Sequence, residues 1–153
     1  MKDIYDLSFG TTSAIMTGLG IVIGLSGAAN SMTIITSLLI IAIADNISDS
    51  FGMHIYKESQ CSTTKDVKET TIGNFIARLI TTAIFIFFVI VFPTNLAVIF
   101  SVIFSLFSII WISYSISLHQ GKKPYLPILK HLFIAIIVMI TSFLLREIIL
   151  RFF

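Results

Sequence analysis

Residues 95–118 read NLAVIFSVIFSLFSIIWISYSISL, a run of 24 residues without one charged side chain. A helix needs roughly 20 predominantly apolar residues to cross the hydrocarbon core of a bilayer. Four further stretches have a similar length and character, so the sequence predicts spans at 7–28, 33–55, 72–92, 95–118 and 127–150. The predicted fold is therefore an all-α integral membrane protein with five transmembrane helices.

The overall composition supports the same class of protein. Of the 153 residues, 56% are hydrophobic and 12% are charged, and the mean hydropathy is +1.00. So little polar sequence leaves no room for a separate soluble domain, and we expect residues 1–153 to form one transmembrane domain whose solvent is lipid. The net charge of +2 is too small and too dispersed for nucleic-acid binding.

Motifs for enzyme chemistry are also missing from the sequence. No stretch resembles a nucleotide-binding loop or a Ser/His/Asp arrangement, so we expect neither an enzyme nor a permanently bound cofactor. Cys61 is the single cysteine and has no CxxC or Cys/His spacing around it, which argues against a structural zinc site.

The lysines outside the predicted spans indicate the orientation of the chain. They all fall on one side of the membrane: Lys2, Lys57, Lys65, Lys68, Lys122 and Lys123. Because Lys and Arg in short loops tend to stay in the cytoplasm, we predict an inside N-terminus, an outside C-terminus and a cytoplasmic loop at 57–71. The compact loops suggest the plasma membrane of a prokaryote.

The second span contains two acidic residues in the stretch ADNISDS at 44–50. Asp45 and Asp49 are four residues apart, a spacing that stacks two side chains on one face of a helix. Counted back from Lys57 at 1.5 Å per residue, they lie roughly 18 and 12 Å into the bilayer. An ionised acid at such depth costs about 2.5–3.5 kcal/mol, so both need partners, protons or a bound cation.

Two interpretations of these acids remain open. With the amide of Asn46 and the imidazole of His54, the carboxylates suit a divalent ion such as Fe²⁺, Mn²⁺ or Zn²⁺, and their mutual repulsion favours a proton that exchanges for metal. In the structural alternative, an acid pairs with Arg78 or Asn74 on the third span, or the second span ends early, around Asp45.

The first span is rich in glycine, with Gly18, Gly20, Gly24 and Gly27. Gly20 and Gly24 form a small-xxx-small motif, which lets two helix backbones approach closely. The motif predicts close packing, either within one subunit or across the axis of a homodimer, and we expect the chain to form a homodimer through this first helix.

Several segments resemble one known family of membrane proteins. The stretch DLSFGTTSAIMT at 6–17, GLSGA at 24–28, Gly52 and the pair Ser59-Gln60 are similar to the first two helices of the vacuolar iron transporter family. The motifs cover the first sixty residues, and the rest agrees in topology. The resemblance implies five helices, an inside N-terminus, an outside C-terminus and a homodimer with its pore between the subunits.

The sequence departs from that family at two metal ligands. An aspartate of the family's first helix corresponds to Ser13, and its metal-binding methionine falls at about Ser50. The long glutamate-rich cytoplasmic helices are also missing, and the loop holds only three acids: Glu58, Asp66 and Glu69.

The resemblance predicts a transporter of divalent metal cations, iron or manganese, that exports metal from the cytoplasm by proton antiport. In this hypothesis Asp45 and Asp49 bind the ion and titrate, while Asn46 and Ser13 add oxygen ligands. Metal reaches the inner mouth at a further pair of residues, His54 and Glu58.

The alternative is a diverged, non-transporting membrane scaffold or interaction subunit of the same fold. Loss of the two family ligands favours this alternative, whereas the two deep acids oppose it. Acids that face a two-fold axis would favour transport. Acids that pair with Arg78 inside one subunit would favour the scaffold.

Overall fold

The computed structural model describes the backbone of residues 2–152 and the side chains of residues 7–152, so the side chain of Lys2 lies outside the described residues. The chain forms α1 (Lys2–Leu25), α2 (Ser31–Ile40), a π-helix (Ile41–Asp45), α3 (Asn46–Ser59), α4 (Thr64–Val91), α5 (Thr94–His119) and α6 (Tyr125–Phe152). Because α2, the π-helix and α3 follow one another without a break, they form one long span. Five helices in the described chain are long and apolar enough to cross a membrane, so the all-helical class is confirmed and the helices are compatible with a membrane protein.

The helices extend further than the apolar runs of the sequence. The expected loop at 57–71 is largely helical, because α3 continues to Ser59 and α4 begins at Thr64. The hydroxyl of Thr63 accepts a hydrogen bond from the backbone N–H of Asp66 at 3.3 Å and caps α4. Hydropathy marks only the part of a helix that lies in lipid, whereas a polar cap lets the same helix continue beyond it.

Helix α1 lies at the centre of the bundle and packs against α4, α5 and α6, while α3 packs against α4. Its glycines allow these close contacts. A Cβ atom at Gly18 would lie 2.7 Å from the ring of Phe85 on α4, and one at Gly20 would lie 3.3 Å from the hydroxyl of Ser142 on α6. Gly24 also faces Ser142. Within the single chain these glycines therefore allow α1 to pack against α4 and α6, and a contact between two copies through α1 stays a prediction.

A purely apolar core occupies the half of the bundle near the α1–α2 and α4–α5 turns. We call it the apolar half, and its buried members are Leu19, Val22, Ile23, Ile34, Leu38, Phe85, Val89 and Ala97. Phe85 meets Phe104 edge to face, with ring centroids 5.7 Å apart. The opposite half, near the α3–α4 and α5–α6 turns, carries the loop lysines, and we call it the lysine-rich half.

Candidate functional site

The two acids follow a π-helix and lie on a different face of the second span from their polar neighbours. The backbone N–H of Asn46 reaches the carbonyl of Ile41, a bond that spans five residues instead of four. Such single-turn π segments are often found at functional sites. Asn46 and Ser50 on α3 are buried against α4, whereas Asp45, the last residue of the π-helix, and Asp49 on α3 lie on the accessible side of this span.

A buried arginine binds both acids. Arg78 on α4 is only 2% exposed, and its Nη1 donates a hydrogen bond to Oδ2 of Asp49 at 2.8 Å. Its Nη2 donates to Oδ2 of Asp45, and Nη1 also donates to the hydroxyl of Ser13 on α1. The guanidinium therefore joins three spans through four side chains, which we call the Arg78 cluster.

The Arg78 cluster carries one negative charge in excess when both acids are ionised. Among the described residues, Arg78 is the one cationic side chain within 4 Å of Asp45 or Asp49. The acids are also accessible, since the side chain of Asp45 is 49% exposed and that of Asp49 is 30% exposed. Beside Asp49, a cavity of about 400 Å³ opens between α1 and α3, lined by Phe9, Gly52, Met53 and Tyr56.

A neutral hydrogen-bonded network lies next to the cluster, between α3 and α4. Asn74 donates to the hydroxyl of Ser50 at 3.1 Å, and Ser50 donates to the amide oxygen of Asn46 at 3.4 Å. Asn46 in turn donates to the carbonyl of Phe75 at 2.9 Å. Because both polar atoms of Asn46 are used in this way, its amide serves to join the helices. Its role as a metal ligand stays a prediction.

A close approach of α1 covers this network. A Cβ atom at Gly10 would lie 2.6 Å from the amide oxygen of Asn74 and 2.7 Å from its backbone oxygen. That amide oxygen is buried and accepts no hydrogen bond from the residues that the structure describes, and the buried Nε–H of Arg78 donates none to them. Only glycine at position 10 leaves space for α1 to approach α4 so closely.

His54 and Glu58 lie apart from the Arg78 cluster, toward the lysine-rich end of α3. Nε2 of His54 is 3.4 Å from Oε1 of Glu58, and its Nδ1 is 3.3 Å from the hydroxyl of Thr71 on α4. Both residues line a cavity of about 490 Å³ whose wall also contains Lys68. They do not line the cavity beside Asp49.

The structure thus brings together three of the six predicted site residues, Ser13, Asp45 and Asp49, and gathers them around Arg78. Within residues 7–152, no three His, Cys, Asp or Glu side chains form a group that could hold a metal ion. The sequence predicted Arg78 or Asn74 as a partner of the acids, but it did not indicate that Lys68 and Thr71 are neighbours of His54. The four-residue spacing of Asn74 and Arg78, which equals that of Asp45 and Asp49, was an available signal that two polar helix faces meet.

Comparison with known proteins adds no assignment to this geometry. No family model matches the chain, and no curated protein has a significant match to it.

Proposed function

We propose that this protein transports a divalent metal cation, iron or manganese, out of the cytoplasm in exchange for protons. The observation that carries the proposal is the uncompensated negative charge of the Arg78 cluster. Two carboxylates share one guanidinium, and both remain accessible from the surface of the bundle. A net charge at membrane depth is costly, so a cation or a proton that neutralises it is bound favourably.

The acids retain the atoms that such a cation needs. Arg78 occupies Oδ2 of each carboxylate, and in the described part of the chain neither Oδ1 makes a hydrogen bond. Oxygen ligands of this kind accept Mn²⁺ and Fe²⁺. Arg78 then acts as a tethered cation, because it holds the two acids in place when no metal is bound and limits the charge that metal must neutralise.

One chain supplies too few ligands, and a second copy of the chain completes the set. Two copies in a homodimer bring four carboxylates and two guanidinium groups, so the joint site carries a charge of −2. One divalent cation or two protons neutralise that charge equally well, which is the charge balance of metal–proton antiport. The accessible acids and the cavity at Gly52 support a contact between copies through this face. The resemblance to the vacuolar iron transporters supports the same arrangement.

Transport into liposomes tests the proposal directly. The purified protein is reconstituted in proteoliposomes, and uptake of Fe²⁺ and Mn²⁺ is measured with and without an imposed pH gradient. We expect gradient-driven uptake by the native chain and loss of at least about ten-fold in Asp45→Asn/Asp49→Asn, because the neutral amides remove the charge that binds the cation.

A matched control removes acids elsewhere. Glu69→Gln and Glu147→Gln neutralise exposed carboxylates outside the cluster, one paired with Lys65 and the other with Arg146, and should leave uptake unchanged. Uptake that survives the double aspartate substitution would contradict the proposed site. Failure of the well-folded native chain to transport either metal would contradict the function.

One observation favours a second candidate, the non-transporting scaffold or interaction subunit. Both acids already pair with Arg78 inside a single chain, as a purely structural ion cluster would. Metal transport by the native chain separates the two, and the triple variant Asp45→Asn/Asp49→Asn/Arg78→Met tests the structural role of the cluster. A scaffold should keep its fold and its contacts with neighbouring copies when the whole cluster is neutral, and its native form should move no metal.

A further inference from the structure

The cavity at His54 differs from the Arg78 cluster in the charges that line it. Its wall contains one carboxylate, Glu58, and one ammonium, Lys68, together with the imidazole of His54 and the polar side chains of Ser62, Thr64 and Thr71. No described carboxylate lies within 4 Å of the Lys68 ammonium. The cavity therefore offers one positive and one negative group within about 490 Å³, a volume in the range of small-molecule sites, roughly 300–1,000 Å³.

An apolar groove continues from this cavity along α3 and α4. It has a volume of about 370 Å³ and shares His54, Thr71 and Ile72 with the polar cavity, so the two are contiguous. Its other walls are almost entirely apolar and include Ile47 and Phe75. Since Ile47 precedes Glu58 by eleven residues, the combined site extends roughly 16 Å along the helix axis.

The polar cavity carries one charge of each sign and continues into a long apolar groove at the end of a membrane helix. This arrangement is complementary to a phospholipid, which joins a charged headgroup to apolar acyl chains. We propose that this site binds one phospholipid whose headgroup carries both a phosphate and a primary ammonium group. Lys68 binds the phosphate, Glu58 accepts hydrogen bonds from the ammonium, and one acyl chain lies in the groove between Ile47 and Phe75. The hydrogen bond of Thr71 with His54 lies where the headgroup ends and the chain begins.

Charge complementarity decides between this lipid and other occupants. A free divalent cation meets Lys68 in the same cavity, which repels it. An anionic headgroup without an ammonium brings no new donor to Glu58, whose Oε1 is 3.4 Å from Nε2 of His54, and a trimethylammonium headgroup has no N–H to donate. A headgroup with both a phosphate and a donating ammonium makes a charge-assisted contact with each of the two side chains, Lys68 and Glu58.

Native mass spectrometry of the full chain tests the proposal. The protein is delipidated in detergent and titrated with phosphatidylethanolamine, phosphatidylglycerol or phosphatidylcholine of identical acyl chains. We expect one phosphatidylethanolamine retained per chain with about ten-fold tighter binding than either other lipid, because two charge-assisted contacts form with this headgroup alone. Lys68→Gln and Glu58→Gln should each abolish that preference.

The control variants are matched in type and place. Lys65→Gln and Glu69→Gln alter an exposed ion pair on the same two turns of α4, outside the cavity, and should leave the preference intact. Equal retention of the three lipids by the native chain would overturn the proposal without any substitution. A preference for phosphatidylglycerol that depends on Lys68 alone would also overturn it and would indicate an anionic-lipid site. Because metal transport is not measured, the result is independent of the proposed function.

Discussion

Helix α4 passes through two halves of the bundle that are built in opposite ways. In the apolar half it buries Phe85 and Val89 among aliphatic and aromatic side chains. In the lysine-rich half, two turns earlier, it buries Asn74 and Arg78 in hydrogen bonds and ion pairs with α1 and α3. The same helix therefore packs through apolar contacts at one end and through hydrogen bonds and ion pairs at the other.

The difference between the two halves identifies a feature that does not serve to stabilise the fold. In lipid there is no hydrophobic drive between helices, so the apolar half is held by close packing. In the polar half, every group removed from water needs a partner. The network of Asn46, Ser50 and Asn74 largely meets that need, whereas the Arg78 cluster does not neutralise itself. A charge left in excess at membrane depth is the feature that packing does not explain.

Among the variants that test this comparison, Arg78→Met should lower the stability most. The substitution keeps a long side chain but leaves two acids without their counter-charge, and we expect the free energy of unfolding to fall by about 3 kcal/mol. This is at the low end of the range for buried ion pairs, because both carboxylates are partly accessible. Unfolding by sodium dodecyl sulfate in mixed micelles, followed by circular dichroism, measures the loss.

The neutral triple variant is the control for Arg78→Met. In Asp45→Asn/Asp49→Asn/Arg78→Met no charge remains in the cluster, so most of the lost stability should return. If the triple variant were as unstable as Arg78→Met alone, the shape of the arginine and not its charge would hold these helices together.

Phe85→Ala should have the next largest effect, in the apolar half. Phe85 is fully buried and contacts Gly18 and Phe104, so its removal leaves a cavity. We expect a loss of about 2 kcal/mol, below the 3–5 kcal/mol of water-soluble cores, because only packing is lost. The same unfolding assay applies. Phe87→Ala removes a ring that is 54% exposed and should change stability little, and equal losses would argue against an apolar core at this position.

Gly10→Ala should have a smaller effect at the contact between α1 and the polar network. The new methyl group would lie 2.7 Å from a backbone oxygen of Asn74, so the two helices must move apart. We expect about 1–2 kcal/mol of destabilisation, typical of mild overpacking. Gly73→Ala is the matched control, since a Cβ there would lie at an ordinary contact distance of 3.7 Å from Leu7. A neutral Gly10→Ala would show that α1 approaches α4 less closely than described.

The prediction of helices from the sequence worked because each span is longer and more apolar than a soluble helix. The π-helix at Ile41–Asp45 was not predicted, since that stretch contains no proline or glycine and its apolar residues fit an ordinary α-helix. The helical ends at Ser59 and Thr64 were also missed, because polar residues outside the membrane give no hydropathy signal.

The site was predicted in outline. The spacing of Asp45 and Asp49 correctly placed them on one face, and Arg78 was among the partners considered. Arg78 binds both acids and Ser13 because α1, α3 and α4 meet at this point. No local sequence pattern predicts how these helices meet. The separation of His54 from the acids has the same origin, because His54 is directed toward Thr71 on α4.

By itself, the sequence determined that this chain is helical, that five of its segments are long and apolar enough to cross a membrane, and which charged residues fall within those segments. Hydropathy and the cost of burying charge are properties of each segment, so they need no knowledge of its neighbours. Only the tertiary structure decided which charges meet, which glycines face which helix, and that two acids share one arginine. These contacts join helices that are far apart in the chain. They depend on how each helix is rotated about its axis, and the packing of the whole bundle determines that rotation.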